Sequence, residues 1–97
     1  MLPENRIPTH PGEILLEEFL IPMEMSQVAS AKYICVPLQR INQIVRGKRS
    51  ITPGTAWLFS QALGTMPEFW INLQSAYALA RSRPARVIER ISATANR

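Results

Sequence analysis

MSQVASAKYICVPLQRINQIVRGKR, residues 25–49, is the stretch on which the fold of this chain turns. Ser26 can accept a backbone N–H from the first turn of a helix. Gln27–Ile34 continues that helix, with small residues at Ala29, Ser30 and Ala31. Ala31 suits the point where two steeply crossing helices bring their backbones together. Cys35-Val36 supplies a tight turn, and Pro37 fits the first position of a second helix, where its missing N–H is no loss. At about 100° per residue, Ile41, Ile44 and Val45 then fall on one side, with Leu38 at the margin. Gln39, Asn42, Gln43 and Arg46 fall on the other, with Arg40 on a flank. Gly47 can stop the helix in a left-handed conformation, and Lys48 and Arg49 follow.

An apolar-backed helix, presented across a tight turn by a second helix, with amides and cations facing out, is the layout of a helix-turn-helix that reads DNA. A solvated helix face would also carry Gln and Arg, but without the partner helix, the turn and the basic exit together. Amides pair with adenine edges in the major groove, and arginine pairs with guanine or phosphate. Leu38, Gln39, Asn42 and Gln43 are therefore expected at base edges, with Leu38 against a thymine methyl. Gln27, Arg46, Lys48 and Arg49 are expected on phosphates, helped by the helix N-terminus at Ser26. Arg40, at the flank, is placed with the phosphate contacts and can also reach a base. The Gln27, Ala31, Ile41 and Ile44 spacing resembles the helix-turn-helix of lambdoid phage repressors and Cro, the XRE type. That pattern usually has a glycine where this chain has Cys35. A left-handed turn there costs a non-glycine residue roughly 1–2 kcal/mol.

The charge distribution picks out the same segment. Residues 1–24 carry five acids and one base, residues 25–64 five bases and no acid, and residues 65–97 five bases and two acids, within a net charge of +4. An acid-free basic segment supplies the salt-sensitive, sequence-blind part of DNA affinity. The 97 residues, 46% of them hydrophobic, suffice for one domain with one core. One cysteine makes no internal disulfide, so a reducing, cytoplasmic setting is expected. MLPENRIPTH lacks the apolar core of a signal peptide, and no run is apolar enough to span a membrane.

Outside the motif, residues 1–9 read as a flexible arm and residues 10–83 as the folded domain. His10-Pro11-Gly12-Glu13 opens a first helix that turns Ile14, Leu15 and Phe19 inward and ends near Pro22. His10 is the only histidine, and with no acid–nucleophile set around it neither metal, cofactor nor catalysis is expected. Thr52-Pro53 starts a fourth helix with Ala56, Phe59, Ala62 and Leu63 inside, ended by Gly64. Thr65-Met66-Pro67-Glu68 reads as a capping box for a fifth helix, striped by Phe69, Trp70, Leu73, Ala76, Tyr77 and Ala80. Phe69, Trp70, Leu73 and Tyr77 are the expected homodimer seam, because an exposed apolar strip on a small basic domain is more often a dimer contact than a ligand site. Pro84 ends that helix, and the tail 84–97 has a weak helical stripe at Val87, Ile88 and Ile91. The fold class is all-α: a five-helix, lambda-repressor-like helix-turn-helix domain with a C-terminal helical extension.

Three further blocks carry a narrower resemblance. HPGEILLEEFL (His10–Leu20), RINQIVRGKRSIT (Arg40–Thr52) and ALGTMPEFWINLQSAYALA (Ala62–Ala80) together resemble the HigA antitoxins, also labelled VapI-like within the XRE group. That resemblance implies a bacterial antitoxin encoded beside a HigB-like toxin that cuts mRNA. It implies two partners, the toxin and double-stranded operator DNA, the latter bound as a dimer that represses its own operon. The acidic first helix and the tail beyond Pro84 are the surfaces a basic toxin would meet. The alternative is a stand-alone XRE-family repressor with no toxin. A pure protein-interaction module would not need the amide and cation face of residues 39–49, and an enzyme would need a positioned base or nucleophile that this chain does not offer.

Overall fold

His10 opens the first helix by doing what serine or aspartate does elsewhere. Its backbone is extended, and its Nδ1 accepts the N–H of Gly12 at 2.8 Å. Pro11 takes the first helical position as expected. In the computed structural model, which describes residues 8–92, the α-helix α1 spans only Pro11–Ile14 and continues as a π-helical segment, Leu15–Leu20. The sequence predicts one α-helix throughout. The difference has a packing cause. Bonds from i to i+5 stack residues five apart on one face, and Leu15 and Leu20, five apart, are both buried. The Ile21 N–H closes the segment on the Leu16 carbonyl at 2.9 Å. The arm expected over residues 1–9 lies outside the described residues except for Pro8 and Thr9.

α2, Gln27–Ile34, starts at Ser26, whose Oγ accepts the Ala29 N–H at 3.0 Å. Ala31 is buried where α2 meets α3. Cys35 has φ 61° and ψ 47°, so the turn keeps its left-handed form without glycine. The Val36 N–H reaches back to the Ala31 carbonyl at 3.0 Å and secures it. Cys35→Gly relieves about 1–2 kcal/mol of strain but frees the unfolded chain by about 0.4–1 kcal/mol. A net stabilisation of roughly 0.5–1 kcal/mol is expected in urea unfolding; a loss of stability would show that Cys35 is unstrained. α3 runs Leu38–Val45, with Pro37 at the N-cap rather than the first helical position. Its ψ of 141° is extended, so the helix begins one residue later than the sequence predicts. Gly47, at φ 74°, ends the element as expected.

α4, Pro53–Leu63, is capped by Thr52, whose Oγ1 accepts the Thr55 N–H at 3.3 Å. α5, Pro67–Arg81, corrects a second expectation: its N-cap is Met66, and no side chain caps it. Thr65 is not the capping residue. Its Oγ1 instead accepts the indole N–H of Trp70 at 2.7 Å, while its carbonyl accepts from Ser60 Oγ at 2.6 Å. Trp70 has none of its surface exposed. The rings of Phe69, Phe59 and Phe19 surround it at centroid distances of 5.0, 5.1 and 5.4 Å. With Leu15, Leu20, Ile41, Ile44, Ile51, Ala56 and Phe59 it forms the core. Gln74 on α5 accepts the Ile51 N–H at 2.7 Å and ties the loop after α3 to that core.

Five helices and no strand occur among the described residues, an all-α helix-turn-helix fold. The helical stripe expected in the tail does not form a helix over residues 84–92, where Val87, Ile88 and Ile91 stand exposed. A segment with nothing packed against its apolar side has no tertiary contact to offset the cost of nucleating a helix. No helix among the described residues is long and apolar enough to cross a membrane.

Candidate nucleic-acid interface

α3 is divided by its period. Ile41 and Ile44 are buried beneath it, while Gln39, Arg46 and Leu38 are exposed and Arg40, Asn42 and Gln43 are half-buried. The four residues expected at base edges thus share the outward half of one helix. Beyond its C-terminus, Lys48 and Arg49 are exposed, and Gln27 sits half-buried at the start of α2. The groups expected on phosphates thus lie on α3 and its cap (Arg40, Arg46), just beyond it (Lys48, Arg49) and at the start of α2 (Gln27). Pro37 has no side chain to cap α3, which leaves its first N–H groups, at the exposed Leu38 and Gln39, open to an anion.

One link within this face is not legible in the sequence. Arg49 Nε donates to Gln43 Oε1 at 2.8 Å. The Gln43 amide is thereby oriented with its NH2 free to donate, and Oε1 keeps a second lone pair for an adenine amino group. Arg49 retains four of its five N–H donors for phosphate. The bond holds the two side chains together as one unit on the outward face.

Two residues absent from the sequence-derived site set the height of α3 above the core. Gly12 in α1 lies so close to α3 that a Cβ there would sit 1.7 Å from the Ile44 carbonyl oxygen and 2.5 Å from its carbon. The same carbonyl accepts the Gly47 N–H at 3.0 Å, closing the end of the reading helix. His10 packs its ring edge-on against Tyr77, with centroids 4.7 Å apart, and borders Gly47. Burial, seconded by the Arg81 guanidinium, pushes the His10 imidazole below its ordinary pKa. It therefore favours the uncharged form, whose bare Nδ1 the cap of α1 requires. A histidine before Pro-Gly was the available signal for this cap. Nothing local signals the approach of Gly12.

The expected dimer stripe on α5 divides differently. Trp70 lies wholly inside the protomer and is removed from any outward seam. Leu73 packs against the core, and Tyr77 is half-buried beside His10. Phe69, 39% exposed, is the most open to solvent of the four. Trp70 faces inward because the π-helical segment and α4 bring Phe19 and Phe59 over it.

Comparison with known proteins points the same way. The helix-turn-helix family profile matches residues 16–71. Virulence-associated protein I of Dichelobacter nodosus is 47% identical over 77 residues, 78% of this chain and 71% of that protein. An addiction module antidote protein of the HigA family from Coxiella burnetii superposes with a TM-score of 0.75 at 44% identity, over 79% of this chain and 84% of that one. The antitoxin HigA of Pseudomonas aeruginosa, solved with the higBA promoter, superposes with a TM-score of 0.76 at 41% identity, over 77% and 82%.

Proposed function

The chain belongs to the helix-turn-helix family, in its HigA-type antitoxin branch, and we propose that it binds operator DNA as a repressor of its own operon and neutralises a HigB-like, mRNA-cleaving toxin in the bacterial cytoplasm. The observation that carries the DNA half is the α3 surface. Leu38, Gln39, Asn42 and Gln43 share the outward half of a helix that also carries Arg40 and ends at Arg46, with Lys48 and Arg49 just beyond it and Gln27 at the start of the preceding helix. The P. aeruginosa relative, solved with promoter DNA, supports it. A two-fold dimer sets two such helices in successive major grooves, with half-sites about 34 Å apart.

The toxin half rests on family membership and on charge. Glu13, Glu17 and Glu18 are exposed on α1 and its π-helical continuation, and no base lies among residues 8–26. A basic ribonuclease meets its opposite charge there, while the cationic face of α3 and its exit stays with DNA. The stand-alone repressor differs in one respect only: it has no toxin to bind.

The division of labour on α3 has a direct test. Gln43→Ala should lose on the order of 1–3 kcal/mol on its operator and keep most non-specific affinity. Lys48→Ala should weaken every sequence alike and reduce the salt slope by about one contact. Footprinting and binding titrations across salt concentration read both. Identical behaviour of the two variants overturns the assignment of base and phosphate roles, and a duplex left unprotected at low salt overturns the DNA reading itself.

A further inference from the structure

The last turn of α5 meets the start of α1 and the end of α3 around an open cleft of about 480 Å³. His10 lines it from the cap of α1, Arg46 and Gly47 from the exit of the reading helix, and Tyr77 and Arg81 from α5. Glu13 is the one carboxylate on its wall, against the two guanidiniums of Arg46 and Arg81. All three charged side chains are exposed.

We propose that this cleft seats a phosphate of the DNA backbone, with Arg81 of α5 as a phosphate contact beside Arg46. The proposal rests on the operator reading, because a duplex must lie on α3 for its backbone to reach the cleft. Continuity with the reading helix carries it. Arg46 caps the end of α3 and is at the same time a wall of the cleft, and Lys48 and Arg49 follow directly on Gly47. Two guanidiniums against one carboxylate leave a surplus of positive charge, which favours an anion. His10 adds no charge of its own while burial, and then Arg81, hold its imidazole toward the neutral form.

Tyr77 holds Arg81 in place. Its hydroxyl accepts from Arg81 Nη1 at 2.7 Å, and the guanidinium carbon stands 5.4 Å from the centre of the same ring. The guanidinium keeps four of its five N–H donors, enough for the paired bonds that its fork makes to a phosphate. A side chain already ordered in the free protein loses less entropy on binding. The Tyr77 ring also packs against His10, which borders Gly47. One tyrosine therefore fixes the arginine relative to the end of α3. Tyr77 is a positioning residue, and Arg81 makes the contact. An arginine in a last turn also suits the helix dipole, but that role needs neither the tyrosine hydroxyl nor Arg46 beside it.

Binding titrations of the full chain on its operator and on an unrelated duplex, across salt concentration, test this. Arg81→Gln should weaken both duplexes alike, roughly threefold to tenfold at low salt, and reduce the salt slope by about one contact per bound chain. Its melt should match the wild type, since Arg81 is exposed. Arg83→Gln removes the same charge two residues further on and should change affinity by about twofold or less, with the slope kept. Tyr77→Phe keeps the ring and every charge, so it should weaken binding at an unchanged slope. Glu13→Gln should tighten it. Ethylation interference should find one phosphate in each half-site whose modification harms the wild type and not Arg81→Gln. If Arg81→Gln and Arg83→Gln behave alike, or if no phosphate depends on Arg81, the seat is overturned while a protected operator keeps the DNA reading. A Tyr77→Phe chain that binds like the wild type removes the positioning role. A wild type that protects no duplex defeats the operator reading and the seat together.

Discussion

Trp70→Ala is expected to cost about 3–5 kcal/mol, the range for removing a large aromatic from a packed core. The deletion leaves a cavity walled by Phe19, Phe59 and Phe69, and it takes away the indole N–H that Thr65 Oγ1 accepts at 2.7 Å. Against a total stability of about 5–15 kcal/mol for a domain of this kind, the loss is a large fraction of what there is. Near-ultraviolet circular dichroism and a thermal melt should show a drop of roughly 12–40 °C, at about 4–8 °C per kcal/mol. Trp70→Phe restores ring volume but not the donor, so it should fall between the two. A melt unchanged by Trp70→Ala would place the side chain outside the core. The contrast with Trp57 is informative: the two tryptophans are thirteen positions apart, and the same substitution at Trp57 should leave the melt nearly unmoved.

Gly12→Ala is the second large effect. Ordinary C···O contact is about 3.3–3.6 Å, and the new Cβ would sit 1.7 Å from the Ile44 carbonyl oxygen. The obstacle is backbone, so no rotamer change relieves it, and α1 must withdraw from α3. Overpacking of this kind costs about 1–3 kcal/mol, and a backbone clash belongs at the top of that range. The displaced carbonyl also accepts the Gly47 N–H, so the exit bearing Lys48 and Arg49 moves with it. Chemical denaturation should record the stability loss, and operator affinity should fall further than stability alone explains. Gly54→Ala is the control. Nothing lies within 4 Å of a Cβ there, and alanine in the first turn of α4 should be neutral or stabilising by up to about 1 kcal/mol. Equal melts for the two variants would show that α1 and α3 are not in backbone contact.

The motif itself was legible because its signals are local. Ser26 caps three residues ahead and the apolar period of α3 repeats within eight residues, whereas the left-handed form kept at Cys35 was settled only by the structure. The face of α3 was legible for the same reason: residues that share one side of a helix do so whatever surrounds it. The α5 stripe shows the limit of such a reading, since Trp70, placed in the expected seam, lies wholly inside the protomer. Phe69, Trp70, Leu73 and Tyr77 do recur at helical spacing, but spacing says only that they share a side, not what covers it. Thr65 looked like a cap because the Thr-x-x-Glu pattern is a local one, yet its hydroxyl is claimed by Trp70 five residues on.

Residue order alone therefore determined the five helices, the turn between the second and third, and the band of amides and cations that the third presents. The tertiary structure decided which tryptophan is core and which is surface, why position 12 must lack a side chain, and that Arg49 braces Gln43. The physical reason is range. Capping, helical period and turn strain depend on neighbours within a few residues, whereas burial depends on what another element lays over a side chain: Phe59 and Phe19 reach Trp70 from 11 and 51 residues away, and Gly12 meets Ile44 from 32.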